Sequence, residues 1–247
     1  MDARPVPDAP PGFDAMRRAS RIALFLDFDG TLVDLAARPD AIDVPAGLAS
    51  RLAELSDRLE GRLALVSGRG IPDLERYLGQ LAVARAGSHG IARVLADGAT
   101  LGDEAQALPE AAIEAIEAFA AEHGFVLETK PHGAALHYRA SPDLEALGLE
   151  FASGLAEAHA LQVKRGKSIV ELVRRGADKG GAVRAFMAVP PFAGSVPVFV
   201  GDDVTDEDGF AAVEDFGGFG VLVGERAPTR ARYALSGTAA VHEWLGL

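Results

Sequence analysis

Residues 22–31 read Ile-Ala-Leu-Phe-Leu-Asp-Phe-Asp-Gly-Thr. The first five side chains of this stretch are apolar and end at two acids and a glycine turn. A run of this kind is typical of a strand buried on both faces, as in the centre of a parallel sheet. Comparable runs lie at 63–66, 198–200 and 219–223, each followed directly by serine or glycine. The pattern predicts buried strands whose C-terminal ends carry polar loops.

Helical patterns separate these strands. Leucines at positions 48, 52, 55 and 59 are spaced by three and four residues, which predicts a helix with one apolar face. Residues 206–213 begin with acids, as the first turn of a helix favours. Buried strands that alternate with helices indicate an α/β fold with a parallel sheet. Such sheets bind ligands at the C-terminal ends of their strands.

The middle of the chain has a different pattern. Residues 108–122 are rich in alanine and predict a helix, whereas 128–139 alternate as a single half-exposed strand does. A second helix begins at Ser141-Pro142, and 168–173 predict another amphipathic strand. This helix–strand–helix–strand stretch predicts a small α+β module inserted into the larger α/β domain.

We therefore divide the chain into four segments. They are a flexible, proline-rich leader (1–20), the first part of the core (21–104), an α+β cap domain (105–175) and the second part of the core (176–247).

Composition excludes several classes of function. The 247 residues contain 24 Lys plus Arg, 36 Asp plus Glu and no cysteine, so the formal net charge is −12. An acidic chain is poorly suited to nucleic acid or anionic membranes, and a chain without cysteine has no disulfide, thiolate nucleophile or thiolate-bound metal. No apolar run approaches a membrane span, and the N-terminus does not resemble a signal peptide. We expect a cytoplasmic monomer with a small-molecule substrate.

Asp27 and Asp29 are the first candidate site. Two residues apart in an extended segment, their side chains point the same way, so both carboxylates can face one small volume. Unpaired, they repel each other and the pKa of one is raised, a cost that Mg²⁺ relieves. One carboxylate can then act as nucleophile and the other as general acid/base. The alternative is a solvated turn with a helix-capping aspartate.

A second acidic cluster follows another predicted strand, in Gly-Asp-Asp-Val-Thr-Asp-Glu-Asp at 201–208. Asp206 and Glu207 can simply begin a helix. Asp202, however, follows a buried strand directly, as Asp27 does. Two strands that each deliver a carboxylate to one sheet edge predict a metal site.

Two further residues suit phosphate binding. Ser67 ends the second predicted strand in a Ser-Gly turn, and Lys179 begins a helix shortly before the third. Residues 162–184 hold seven bases and two acids, a net charge of +5 that is suited to an anionic small molecule.

Four motifs, taken in order, resemble those of the haloacid dehalogenase superfamily of aspartate-nucleophile phosphohydrolases. They are FLDFDGTLV (25–33), LVSGR (65–69), DKGGAV (178–183) and VFVGDDVTDEDGF (198–210). Three more stretches are similar to the trehalose-6-phosphate phosphatase family within it. They are AGSHG (86–90), GFVLETKPHGAALHYRASP (124–142) and GKSIVEL (166–172). The resemblance implies a Rossmannoid parallel-sheet core with an inserted cap.

The resemblance also implies roles for the core residues. Asp27 is expected to attack phosphorus and form an aspartyl-phosphate, while Asp29 protonates the leaving sugar oxygen and then activates water. Mg²⁺ is expected on Asp27, Asp202 and the backbone carbonyl of Asp29, with Asp203 and Asp206 in support. The residues expected to hold the phosphoryl group are Thr31, Ser67 and Lys179.

The cap is expected to recognise the sugar. The resemblance implies Glu128, Lys130 and Glu171 as partners of the sugar hydroxyls, because charged oxygen and nitrogen atoms suit a polyol. Further candidates are Arg69, His89, Arg139 and Lys167.

The function implied is Mg²⁺-dependent hydrolysis of trehalose 6-phosphate in trehalose biosynthesis, a phosphoric monoester hydrolase activity. Alternative substrates are sucrose 6-phosphate and mannosyl-3-phosphoglycerate. Alternatives from other classes are a receiver-like signalling domain that carries a phosphorylated aspartate, and a sugar-phosphate binder without catalysis.

Overall fold

The structure is a computed structural model that describes residues 7–36, 41–103, 106–130, 132–166 and 168–247. It contains two compact units. The core unit comprises Met1–Asp103 and Asp178–Leu247, and the cap unit is Glu104–Ala177. The sequence placed the insertion at 105–175.

The core unit contains a seven-stranded sheet in the order β11-β10-β9-β1-β2-β3-β4. The strands are β1 (Ile22–Leu26), β2 (Leu63–Val66), β3 (Ala84–Gly87), β4 (Ala92–Val94), β9 (Val196–Gly201), β10 (Phe219–Val223) and β11 (Tyr233–Leu235). All neighbours pair in parallel except β3 and β4, which are antiparallel. The predicted parallel α/β sheet is confirmed.

The strand β1 lies in the middle of this sheet, and every residue in it is buried. Leu24 packs in one apolar cluster and Phe25 in another, because successive side chains of a strand point to opposite faces. The first cluster includes Leu52 of a helix, and the second includes Phe186 and Phe210 of two others. The sheet is therefore covered on both faces, as the unbroken apolar run predicted.

The helices of the core unit lie before, between and after the strands in the sequence. They are α1 (Phe13–Ala19), α2 (Leu48–Arg58), α3 (Ile71–Leu78), α6 (Lys179–Met187), α7 (Glu207–Asp215) and α8 (Thr238–Leu245).

Within the segment predicted as a flexible leader over residues 1–20, the structure describes a packed helix. Phe13 begins α1 and is buried, with its ring 5.2 Å from that of Trp244. The indole nitrogen of Trp244 donates to the carbonyl of Pro11 at 2.8 Å, and the amide of Ala234 donates to the carbonyl of Asp8. The prolines and the lack of periodicity in this segment gave no indication of a helix that packs through the ring of Phe13.

The cap unit has two helices and a four-stranded antiparallel sheet in the order β5-β6-β8-β7. Its elements are α4 (Glu110–His123), β5 (Val126–Lys130), β6 (Gly133–His137), α5 (Glu145–Ala158), β7 (Leu161–Gly166) and β8 (Ile169–Arg174). One sheet face supplies Ala134, Leu136, Val170 and Leu172 to a cluster with Ile116 of α4 and Ala152 of α5.

The prediction of one strand over residues 128–139 is wrong. Lys130 pairs with Gly133, so the chain reverses between them and forms a hairpin. A second hairpin joins β7 to β8, and β7 had no counterpart in the prediction. Alternating polarity marks the face of a strand but not the point at which the chain turns back.

Among the helices of the described residues, none combines the length and the apolar character that a membrane crossing requires.

Candidate active site

The candidate site lies at the C-terminal ends of the central strands of the core sheet. Asp27 follows β1, and its amide extends the ladder by donating to Val200 of β9 at 2.9 Å. Asp202 follows β9, and Ser67 follows β2 on the other side of β1. Because β1 pairs in parallel with both neighbours, their C-terminal ends share one edge of the sheet.

Lys179 links the acids of this edge. It is the first residue of α6, whose N-cap Asp178 accepts a hydrogen bond from the amide of Gly181. The Lys179 Nζ lies 2.9 Å from Asp27 Oδ1 and 2.6 Å from Asp206 Oδ1. All three side chains are buried. The fold thus brings together Asp27 and Asp206, which are 179 positions apart in the sequence.

Carboxylates converge beside the lysine. One oxygen each from Asp27, Asp202 and Asp206 lies within 4.8 Å of the other two. Glycines make this approach possible: a Cβ on Gly30 would lie 2.2 Å from Asp202 Oδ2, and one on Gly201 would lie 2.2 Å from Asp206 Cγ. Gly30 also has a φ of 77°, in the left-handed region that favours glycine.

This donor set fits a hard divalent cation. Asp202 Oδ1 is buried and makes no hydrogen bond to any residue that the structure describes. A buried polar atom of that kind normally has a partner, and oxygen ligands are what Mg²⁺ prefers. The Thr31 Oγ1 is also buried and has no hydrogen-bond partner among the described residues. An unpartnered hydroxyl suits a residue that is expected to contact a phosphoryl oxygen.

Burial and neighbouring charges shift the pKa values of this cluster. Burial raises the pKa of Asp27 well above its ordinary value; Lys179 opposes this rise, and Asp206 and Asp202 add to it. Burial, with Asp206 next in importance, raises the pKa of Asp202 to about 7. Burial alone would lower the pKa of Lys179, but Asp206 and Asp27 raise it above its ordinary value. A further positive charge beside these acids would therefore stabilise them.

Asp203 and Asp206 support the loop after β9. The amide of Asp203 donates to Asp206 Oδ2 at 2.9 Å, and Asp203 Oδ1 accepts from the amide of Val204 at 2.7 Å. Outside this loop, Arg226 contacts Glu207 at 2.5 Å and the carbonyl of Asp203 at 3.3 Å. Asp206 therefore binds Lys179 with one oxygen and fixes the loop backbone with the other.

Asp29 has a charged partner of its own, whereas the expected repulsion from Asp27 assumed that both carboxylates were unpaired. Its two oxygens each accept from Arg69 at 2.7 Å, so its charge is paired. The acids that raise the pKa of Asp27 are Asp206 and Asp202.

Ser67 and His89 lie together in the core unit. Ser67 is fully buried, and its Oγ accepts from the amide of Arg69 at 3.1 Å. The carbonyl of Ser67 accepts from the amide of His89, and the imidazole lies so close that a Cβ on Gly68 would be 2.8 Å from its Cε1. Ser88 and His89 hold φ values of 50° and 57°, an uncommon backbone that brings this turn onto the Ser-Gly-Arg loop.

In the cap unit, the predicted sugar-binding residues share one face of the sheet. Glu128, Ala135, Glu171 and Lys164 stand directly opposite one another across the four strands. They form the middle row of what we call the polar face, which is opposite to the face that packs on α4 and α5. Lys164 was not predicted, because the register that places it beside Glu171 requires the missed strand β7.

The charges on the polar face are paired with each other. The Lys130 Nζ lies 2.6 Å from Glu171 Oε1, and the His137 Nε2 lies 2.9 Å from Glu128 Oε2. Burial raises the pKa of Glu128, but the hydrogen bond from His137 and the charge of Lys130 outweigh it and lower the pKa below its ordinary value. Glu128 is therefore ionised at neutral pH and available as an acceptor.

Two sugar-binding candidates of the cap unit remain. Arg139 is exposed in the turn after β6, and Lys167 lies outside the described residues. Several bases of 162–184 are paired with acids. Lys179 joins the core acids, whereas Arg165 pairs with Glu145 and Arg184 with Asp215.

Comparison with known proteins agrees with this geometry. The sequence profile described as Trehalose-phosphatase matches residues 25–239, which is most of the chain. The chain belongs to the trehalose-phosphatase family. A relative in that family, the trehalose-6-phosphate phosphatase of Escherichia coli (strain K12), is 36% identical over 233 residues, covering 92% of this chain and 86% of that protein.

Solved structures confirm the fold. The C-terminal domain of trehalose-6-phosphate phosphatase from C. albicans superimposes with a TM-score of 0.82 at 23% identity and covers 98% of both chains. BT1666 from Bacteroides thetaiotaomicron, a phosphatase of the haloalkanoate (HAD) superfamily, gives a TM-score of 0.65 at 16% identity over 93% of this chain and 96% of that one. The predicted core of the haloacid dehalogenase type with an inserted α+β unit is therefore correct.

Proposed function

We propose that this member of the trehalose-phosphatase family is a phosphoric monoester hydrolase that converts trehalose 6-phosphate to trehalose and phosphate in trehalose biosynthesis. The observation that carries the proposal is the buried cluster of Asp27, Lys179, Asp202 and Asp206 at the ends of adjacent parallel strands, in a chain of this family. Phosphoryl transfer depends mainly on positioning and charge neutralisation, and this cluster is suited to both.

In the first step, a carboxylate oxygen of Asp27 attacks phosphorus. The bond from phosphorus to the sugar oxygen breaks, its electron pair stays on that oxygen, and the proton comes from the carboxyl group of Asp29. The products are trehalose and an aspartyl-phosphate on Asp27. Thr31, Ser67 and Lys179 are proposed to hold the phosphoryl oxygens throughout.

In the second step, water attacks phosphorus and the bond to Asp27 breaks. The ionised carboxylate of Asp29 takes the proton of the water, and phosphate leaves. The two hydrogen bonds from Arg69 to Asp29 suit this ionised form, because an arginine fork matches both oxygens of a carboxylate.

We propose that Asp27 and Asp202, with the backbone carbonyl of Asp29, hold Mg²⁺, and that Asp203 and Asp206 support them. The orphaned Asp202 Oδ1 and the raised pKa values of Asp27 and Asp202 support this assignment. When bound, Mg²⁺ supplies charge neutralisation for the clustered carboxylates and for the phosphoryl oxygens.

We propose that the polar face of the cap unit recognises the disaccharide through Glu128, Lys130 and Glu171. The pairs Lys130–Glu171 and Glu128–His137 support this role, because paired charges keep their side chains in fixed positions while each carboxylate still has lone pairs for hydroxyl groups. Arg139 and Lys167 are proposed as further contacts on the cap.

We further propose that the protein is a cytoplasmic monomer without nucleic-acid or membrane partners. The net charge of −12 and the absence of cysteine support this. Sedimentation velocity at micromolar concentration tests the oligomeric state.

Phosphate release from a panel of sugar phosphates, with and without a chelator, tests the proposed function. We expect Mg²⁺-dependent turnover of trehalose 6-phosphate far above that of glucose 6-phosphate. If the protein prefers sucrose 6-phosphate or mannosyl-3-phosphoglycerate, that compound would replace trehalose 6-phosphate as the proposed substrate. A stable phosphoprotein without turnover would indicate a receiver-like domain, and binding without either would indicate a non-catalytic binder.

A further inference from the structure

Arg69 has several charged and aromatic partners near the proposed catalytic acids. Its Nε and Nη2 donate to the two oxygens of Asp29, both at 2.7 Å, and its Nη1 donates to Asp73 Oδ2 at 2.7 Å. The side chain is only 8% exposed, although it carries a full charge. The guanidinium therefore has carboxylates on two of its edges.

Helix α3 fixes this guanidinium from the side away from Asp29. Asp73 and Tyr77 are four residues apart, so they lie on the same face of α3. The guanidinium carbon lies 5.2 Å from the ring centre of Tyr77 and 6.0 Å from that of Phe28. Aromatic faces and a second carboxylate together hold a planar cation in one position.

The position of Asp29 explains why such support matters. It lies in the turn after β1, and its side chain is 27% exposed. A carboxylate bound through one oxygen can rotate, whereas two parallel hydrogen bonds fix both its position and its plane. A general base must point its lone pair at the attacking water, and misplacement by about 1 Å can cost about 10²-fold in rate.

We propose that Arg69, fixed by Asp73 and Tyr77, is a positioning residue that aims Asp29 at the water that hydrolyses the aspartyl-phosphate. This inference rests on the proposed function. It gives Arg69 a role in the second chemical step in place of the sugar contact that the sequence indicated, and it assigns a function to two residues of α3.

The two roles predict different kinetics. A sugar contact raises the KM for trehalose 6-phosphate and leaves a small phosphate ester unaffected. A positioning residue lowers kcat, and it does so for every substrate because all of them pass through the same aspartyl-phosphate. p-Nitrophenyl phosphate separates the steps, since nitrophenolate leaves without needing a proton and only the second step then requires Asp29.

The experiment compares Arg69→Met, Arg69→Lys and Asp73→Asn with the wild type in the full chain with Mg²⁺. Arg76→Gln is the matched control, because Arg76 contacts Asp73 at 2.7 Å and lies 4.9 Å from the Tyr77 ring centre but is 62% exposed. Steady-state kinetics, rapid-mix nitrophenolate release and the intact mass of the quenched protein are measured, with melting temperatures as a check of folding.

For Arg69→Met we expect kcat to fall about 10²-fold, and KM to fall with it and not to rise, because the slowed step follows transfer of the phosphoryl group to Asp27. With p-nitrophenyl phosphate, a fast burst of one nitrophenolate per chain should precede slow turnover, and the quenched chain should carry phosphate. Arg69→Lys keeps the charge but loses the fork and should show the same burst. We expect Asp73→Asn to lower kcat about threefold to tenfold and Arg76→Gln to change it less than twofold.

Three results would overturn the inference. One is a raised KM with unchanged kcat, which would make Arg69 a substrate contact. The second is a burst slowed as much as the steady state, which would make it purely structural. The third is Arg69→Lys and Asp73→Asn kinetics equal to those of Arg76→Gln. A wild type that prefers another sugar phosphate would overturn the proposed substrate instead, and the variants are then compared on that compound.

Discussion

The core site and the polar face of the cap unit both gather charged side chains, but by opposite means. In the core, Asp27, Lys179 and Asp202 follow or begin different elements, and none of them lies within a strand. On the polar face, Glu128 and Glu171 lie inside strands and are brought into one row by the ladder itself.

The two regions should therefore differ in how they tolerate substitution of a single residue. A loop at a strand end fixes one side chain through many backbone contacts, so the core arrangement depends on every member. A row on a pleated sheet is set by register alone, and exchanging one side chain leaves its neighbours in place. The proposed chemistry therefore lies in the first kind of region and the proposed sugar recognition in the second.

The largest effect is expected at the proposed nucleophile. Asp27→Asn should lower turnover of every phosphate ester by about 10⁴-fold or more, since the covalent step is lost. The melting temperature should not fall, because the amide fills the same volume and removes a carboxylate whose pKa burial has raised. Phosphate release and a thermal melt check both parts. Residual activity near that of the wild type would reassign the nucleophile.

Removing one lysine from each region should lower the free energy of unfolding by different amounts. Lys179→Met leaves Asp27 and Asp206 buried without the cation they share, and should cost about 3–5 kcal/mol in the free energy of unfolding. Lys130→Met should cost less than half of that, since Glu171 still has Lys164 directly opposite. Urea denaturation measures the two values. Equal losses would mean that the regions do not differ in this respect.

A substitution on the polar face should weaken activity on trehalose 6-phosphate but not on a small phosphate ester. Glu171→Gln should reduce kcat/KM for trehalose 6-phosphate about 10- to 100-fold, as expected for a hydrogen bond to a charged group, and should leave p-nitrophenyl phosphate within about twofold. Glu150→Gln, on the exposed surface of α5, is the control. A uniform loss on both substrates would make Glu171 structural.

The smallest effect is a pH-dependent response to Mg²⁺. Because the pKa of Asp202 is raised from 3.8 to about 7 in the folded protein, its contribution to stability is present below pH 3.8 and is lost as the pH rises through about 7. Mg²⁺ opposes that loss, so it should raise the melting temperature by several degrees more at pH 8 than at pH 5.5. Asp202→Asn should remove this difference, and an equal rise at both pH values in the wild type would contradict the assignment.

Much of the core was predictable because its signals are local. The run at 22–26 shows a doubly buried strand, and the acids after it mark the edge where ligands bind. Glu128, Lys130 and Glu171 were implied by the family resemblance, and the structure places all three on one face of the cap sheet, since alternate residues of a strand share a face.

What sequence reasoning missed depends on contacts between distant residues. Nothing local shows that Arg69 would pair with Asp29, forty positions away, instead of pointing at a ligand. The spacing of Asp73 and Tyr77 from Arg69 was visible, but charged and aromatic residues at helical intervals are common. The hairpin that brings Lys164 to Glu171 required a strand that weak alternation did not indicate.

The carboxylates of Asp202 and Asp206 occupy the space in which side chains at Gly30 and Gly201 would begin. These two positions carry no functional group, yet every other amino acid there would displace an acid from the site. A saturation library scored for activity should show them as intolerant as Asp27, and a search for active members of this family can use the two missing side chains as a marker alongside the acids themselves.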